Sequence, residues 1–133
     1  MQDLHKKSKK KFLLQIHLIF ATKYRRNIIK SKLKDDLVNI FREIEQTSRF
    51  VIKEMETDNN HIHFLIDYEP KISVSSIVRK LKQISTIKIW ALHKNYLSHF
   101  YWKEHTFWSD GFFVCSIGNA NEETIKKYIQ EQG

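Results

Sequence analysis

The chain predicts an α+β fold: a ferredoxin-like, RRM-like split βαβ antiparallel sheet with two helices on one face and a further helix at the C-terminal end. Three observations carry this. Apolar residues alternate with period two in four segments and recur every three to four residues in three others. The segments follow one another as β-α-β-β-α-β and then α, the order of a split βαβ sheet. Glycine and proline are scarce, three and one in 133 residues, so no flexible linker divides residues 1–133 into more than one domain.

Each element has its own signature. Residues 1–11 form a basic tail. Residues 12–22 alternate, with Phe12, Leu14, Ile16, Leu18 and Phe20 sharing one face of a strand. Residues 30–47 suit a helix whose stripe is Leu33, Leu37, Ile40, Phe41 and Ile44. Residues 49–56 suit a second strand. Thr57-Asp58-Asn59-Asn60 is a turn, rich in side chains that bond their own backbone, and the strand from His61 to Asp67 follows at once as a hairpin partner. Pro70 ends it. A second amphipathic helix runs from about Ser73 to Leu92, with Val74, Ile77, Val78, Leu81 and Ile84 inward and Arg79, Lys80, Lys82 and Lys88 off the stripe. Residues 93–110 are aromatic and irregular. Gly111 leads into a fourth strand, 112–117. The last helix, 119–132, opens on Asn119 with Glu122 three residues on, a capping-box spacing.

The charge balance narrows the class of partner. Net charge is +8 and the sequence pI is about 9.6, which favours a polyanion, most often nucleic acid. Residues 1–34 hold eleven of the 23 Lys and Arg and a single acid, Asp3. The basic run continues past the tail into Lys23, Arg25, Arg26, Lys30, Lys32 and Lys34, which lie in or beside predicted elements. Cys115 is the one cysteine, which excludes an intrachain disulfide and a thiolate metal cluster and fits a reducing cytoplasm. The run from Phe12 to Phe20 is too short to span a membrane and is interrupted by Gln15 and His17, so it reads as a strand and not as a signal peptide.

Two constellations carry chemistry. In a strand, His61 and His63 point to one face with their Cα atoms about 7 Å apart, a spacing from which two imidazoles converge on one divalent cation. Ile62, Phe64 and Ile66 point the other way, into a core. The same pair also occurs in ordinary strands with no metal. On the terminal helix, Ile125, Tyr128, Ile129 and Gln132 share a face. That stripe serves equally as a docking face with a satisfied hydroxyl or as a nucleophilic phenol with an amide one turn away.

Five segments in sequence resemble the small single-tyrosine HUH transposases of the insertion sequence 200/605 group, from about residue 12 to residue 132. They are His17-Leu18-Ile19-Phe20-Ala21-Thr22-Lys23-Tyr24-Arg25-Arg26, His61-Ile62-His63, Leu81-Lys82-Gln83-Ile84-Ser85, Trp108-Ser109-Asp110-Gly111 with the strand after it, and Tyr128-Ile129-Gln130-Glu131-Gln132. Gln83 departs from the family pattern, which has glycine there. The resemblance implies a transposase that cleaves and rejoins single-stranded DNA at insertion-sequence ends. It implies Tyr128 as the nucleophile, carried by the C-terminal helix, and His61, His63 and Gln132 as ligands of Mg²⁺ or Mn²⁺. It also implies a 5′-phosphotyrosine intermediate, recognition of DNA hairpins at element ends, and a homodimer whose active sites are shared between subunits. Lys23, Arg25, Arg26, Arg79 and Lys82 are the candidate DNA contacts. Three other readings compete: a non-catalytic RRM-like nucleic-acid binder, a zinc hydrolase built on the two histidines, and a domesticated repeat-associated tyrosine transposase.

Overall fold

In the computed structural model, residues 14–116 and Gln130 are described. Four strands, β1 (Leu14–Ala21), β2 (Phe50–Asp58), β3 (His61–Tyr68) and β4 (Phe113–Ser116), form one sheet in the order β2-β3-β1-β4. Every neighbouring pair is antiparallel. Two long helices, α1 (Ser31–Gln46) and α2 (Val74–Ser98), complete the β-α-β-β-α-β order that the periodicity predicts. Apart from Gln130, the expected 119–132 helix, with Tyr128 and Gln132, lies outside the described residues, as do the 1–11 tail, the first residues of the predicted first strand and Ile117 at the end of the predicted fourth.

The core lies between one sheet face and the helices. Ile16, Leu18 and Phe20 of β1 meet Ile62, Phe64 and Ile66 of β3, and α1 adds Leu33, Leu37, Ile40, Phe41 and Ile44. Phe64 is the hub, with edge-on contacts to Phe20 at 5.3 Å and to Phe41 at 4.9 Å between ring centroids, the geometry that aromatic quadrupoles prefer. α1 carries the predicted stripe because these residues recur at helical spacing.

Two elements depart notably from the sequence reading: α2 in its end, and β2 in its phase and its end, since β2 runs to Asp58 and only Asn59 and Asn60 of the expected Thr57–Asn60 turn are turn. α2 runs to Ser98, six residues past the expected end at Leu92. His93 leaves helical geometry (φ −130°, ψ 35°), but its Nε2 lies 2.7 Å from Asp36 Oδ2 on α1. That contact ties α2 to α1 at the break. In β2, the pattern Phe50, Ile52, Met55 changes phase. The ladder pairs Ile52 with Ile66 and then Glu54 with Leu65, so Lys53 is an extra residue in a β-bulge. The bulge moves Glu54, Glu56 and Asp58 to the face opposite the core, and Met55 to the core side. Glu45 of α1, itself buried, holds the bulge by accepting the Ile52 N–H at Oε2.

Candidate nucleic-acid-processing site

The sheet face away from the helices carries the His61–His63 pair. β3 alternates strictly, so Ile62, Phe64, Ile66 and Tyr68 are buried while His61, His63, Leu65 and Asp67 are half-buried on the other side. His61 and His63 therefore do share one face. β1 contributes Gln15 and His17 to it, and β2 contributes the carboxylates of Glu56 and Asp58, which pair across the ladder with His63 and His61.

Both imidazoles are fixed by neighbours. His61 Nδ1 lies 3.0 Å from Asn60 Oδ1, and an amide oxygen can only accept, so Nδ1 donates this bond and Nε2 is the ring nitrogen left for another partner. His63 Nε2 lies 2.8 Å from His17 Nδ1, one N–H against one lone pair. Burial lowers both histidines below the usual imidazole value. The Arg25 charge adds to this at His61 and the His17 ring at His63, while Asp58 opposes it at the former and Glu56 and Glu54 at the latter. Both shifts act in the direction that favours the unprotonated imidazole, the form that ligates metals. Their donor chemistry suits a divalent cation. Among the described residues no group of three His, Cys, Asp or Glu side chains forms a complete cage, so a further donor is needed.

His17 is the site residue that sequence reasoning missed. Its signal was a polar residue within an apolar strand, on the odd-numbered face with Gln15. What sequence could not supply was the register, which pairs Ile19 with His63 and so sets His17 diagonally against it.

The predicted basic contacts fall into two groups. Lys23, Arg25 and Arg26 form a tight turn directly after β1. Thr22 anchors that turn to the hairpin tip, its N–H donating to Asn60 O at 2.9 Å. The Arg25 charge reaches His61, while Lys23 Nζ lies 3.5 Å from Asp110 Oδ1. Arg79 is exposed on α2, in the helical layer on the far side of the sheet. Lys82, also on α2, directs its Nζ at three backbone carbonyls, Ser109 O at 2.8 Å, Gly111 O at 2.9 Å and Asp110 O at 3.3 Å. With its three N–H donors spent there, it clamps the loop that feeds β4. Burial lowers its pKa below the ordinary lysine value, with Asp110 opposing.

The comparisons with known proteins place this chain among the transposases, enzymes that cleave and rejoin DNA. The family model described as transposase IS200-like matches residues 10–132, and the chain belongs to that family. It is 31% identical over 116 residues to the transposase for insertion sequence element IS200 of Salmonella typhimurium, covering 87% of this chain and 74% of that protein. It is 25% identical over 121 residues to the ISDra2 transposase TnpA of Deinococcus radiodurans, covering 91% and 85%. The crystal structure of a protein from Deinococcus radiodurans R1 assigned as a transposase superposes with a TM-score of 0.82 at 25% identity over 90% of each chain. The fold is shared more distantly with a REP-associated tyrosine transposase bound to a REP hairpin, at a TM-score of 0.57 and 15% identity over 90% of this chain and 63% of that one. No helix among the described residues is long and apolar enough to cross a membrane.

Proposed function

We propose that the chain cleaves and rejoins single-stranded DNA through a covalent 5′-phosphotyrosine on Tyr128, in a site built on His61 and His63. The observation that carries this reading is the pair of half-buried, individually hydrogen-bonded imidazoles on the sheet face away from the helices, with the basic turn at Lys23–Arg26 anchored to the same hairpin tip. His61, His63 and Gln132 would hold Mg²⁺ or Mn²⁺. When bound, such a cation neutralises charge on the scissile phosphate and on the leaving oxygen. Imidazole favours the softer Mn²⁺ of the two, since Mg²⁺ prefers oxygen ligands.

The chain's own residues then divide the work. His17 holds the His63 ring and Asn60 holds that of His61, so neither must be ordered when substrate arrives. Arg25 and Arg26 engage phosphates. The Tyr128 phenol gives up its proton and attacks phosphorus, the bond to the 3′ oxygen breaks, and that oxygen leaves as a free 3′-OH. Because the phosphodiester energy is kept in the tyrosyl ester, a later attack by a 3′-OH rejoins strands without ATP. β1 and β3 present Gln15, His17, His61, His63 and Asp67 on the face away from the helices, not the stacked rings by which an RRM sheet binds RNA. That favours the enzyme over the plain binder.

The test is an SDS-resistant adduct between the protein and a labelled single strand carrying an element end, formed in Mn²⁺ or Mg²⁺. Wild type should form it, and Tyr128→Phe, His63→Ala and chelated protein should not. An adduct in Tyr128→Phe removes the nucleophile assignment. Mixing Tyr128→Phe with His63→Ala protein restores the adduct only if subunits share sites, so no restoration argues for a site within one chain.

A further inference from the structure

The turn after β1 is strained in an unusual way. Tyr24 (φ 57°, ψ 18°) and Arg25 (φ 54°) are consecutive non-glycine residues in the left-handed region, which a side chain with a Cβ disfavours. Such geometry persists only where surrounding bonds over-determine it, and here they do. Lys23 N donates to Phe107 O at 2.8 Å, Arg25 N to Thr22 O at 2.9 Å, the Tyr101 hydroxyl to Lys23 O at 2.7 Å and the Thr22 hydroxyl to Arg26 O at 2.8 Å.

The effect is to display a ring. Tyr24 is 61% exposed and Trp102 is 70% exposed, and both line a cleft of about 280 Å³ with Phe100, Tyr101, Lys103 and Glu104. Tyr24 and buried Tyr101 lie 6.5 Å apart between centroids. Lys23 Nζ sits 5.5 Å from the Tyr24 centroid. The volume is at the small end for ligand pockets, ~300 Å³, suited to one flat ring system. Exposed aromatic faces interleaved with Lys23, Arg25, Arg26 and Lys103 are the chemistry of single-strand binding: rings stack on bases while cations track the backbone. The cleft is also tied to the histidines, because Thr22 bonds Asn60 O and Asn60 Oδ1 bonds His61.

We propose that the Tyr24–Trp102 cleft receives one unpaired base of the DNA strand, stacked on those two rings, with Lys23 and Arg25 on the flanking phosphates. This rests on the single-strand reading above and adds a base subsite to it.

Trp102 makes the test direct. Of three tryptophans, Trp90 and Trp108 are 4% and 5% exposed, so contact quenching of indole fluorescence reports Trp102. Full-length protein in EDTA is titrated with a thymidine 12-mer and with an abasic 12-mer of equal charge. The thymidine strand should quench and the abasic strand should bind more weakly. Trp102→Ala should bind the thymidine strand about 5- to 150-fold more weakly. Tyr24→Gly should weaken it likewise without lowering Tm, since glycine suits φ 57°. Unchanged affinity in Trp102→Ala, or equal binding of the abasic strand, overturns the cleft while leaving single-strand binding intact. If wild type binds neither strand, the cleft and the single-strand reading fall together.

Discussion

The β2 bulge offers the sharpest test of how this sheet is held. Glu45 is 5% exposed; its Oε2 accepts the Ile52 N–H, and its Oε1 accepts from Arg42 Nη1 at 3.3 Å. Arg42 Nη1 also donates to Ile52 O at 2.8 Å. Together these side chains serve the backbone of the residue just before the bulge. Glu45→Ala leaves the buried Ile52 N–H without its carboxylate, at a cost of about 1.5–3 kcal/mol for a hydrogen bond to a charged group. For a domain of this size, each kcal/mol moves Tm by about 3–5 °C, so the variant should melt about 5–15 °C lower. Glu45→Gln keeps an acceptor and should lose less than half as much. The assay is thermal and urea unfolding together with amide exchange, in which Ile52 should lose protection selectively in Glu45→Ala. Wild-type stability with an unchanged Ile52 amide would refute the idea that Glu45 holds the bulge.

Other outcomes follow from the same geometry. Ser85→Ala deprives the buried Trp108 Nε1–H of its acceptor at 3.0 Å, costing about 1–3 kcal/mol; a cycle with Trp108→Phe should show non-additivity, and strict additivity would count against the bond. Lys82→Met removes the Nζ that lies over the Phe20 and Phe112 rings together with its donors to Ser109, Asp110 and Gly111, so exchange should rise at the β1–β4 ladder; unchanged exchange there would show that the clamp is dispensable. His17→Gln should weaken Mn²⁺ binding about 10-fold by loosening the His63 ring, read from the free-ion EPR signal, and wild-type affinity would remove His17 from the site. Burial pushes the Tyr101 phenol well above the ordinary tyrosine value. The protonated phenol is the folded form, so this stabilisation is intact below about pH 10, where the unfolded phenol ionises, and falls by up to about 1.4 kcal/mol per pH unit above it. Absorbance should show Tyr101 ionising only on unfolding; titration in the folded state near pH 10 would contradict it.

Much of the fold was legible because its signals are local. β3 alternates without error, and the α1 stripe is regular, so a period count places both. β2 was harder. Phe50 and Ile52 agree with one phase and Met55 with the other, and only the three-dimensional partner Glu45 explains the change. The end of α2 was missed for a similar reason, since the Asp36–His93 contact joins residues far apart in sequence. At the site, the shared face of His61 and His63 follows from strand periodicity alone. The roles of His17 and Lys82 do not. A lysine off the apolar stripe reads as a solvated cation, and nothing local reveals that three carbonyls wait for it. Tyr24 is likewise silent in sequence, since its exposure comes from a backbone conformation that tyrosine rarely adopts.

The two asparagines at the tip of the β2–β3 hairpin have a consequence for how this molecule tolerates change. Hairpin tips ordinarily accept insertions because little depends on them. Here Asn59 O accepts the Ile29 N–H at 2.8 Å, Asn60 O accepts that of Thr22, and the Asn60 side chain orients His61. Thr22, Ile29 and the His61 ring are all positioned by two adjacent residues. An added residue at this tip would shift all three at once, so the length of a two-residue turn is as constrained here as the identity of any residue in the core.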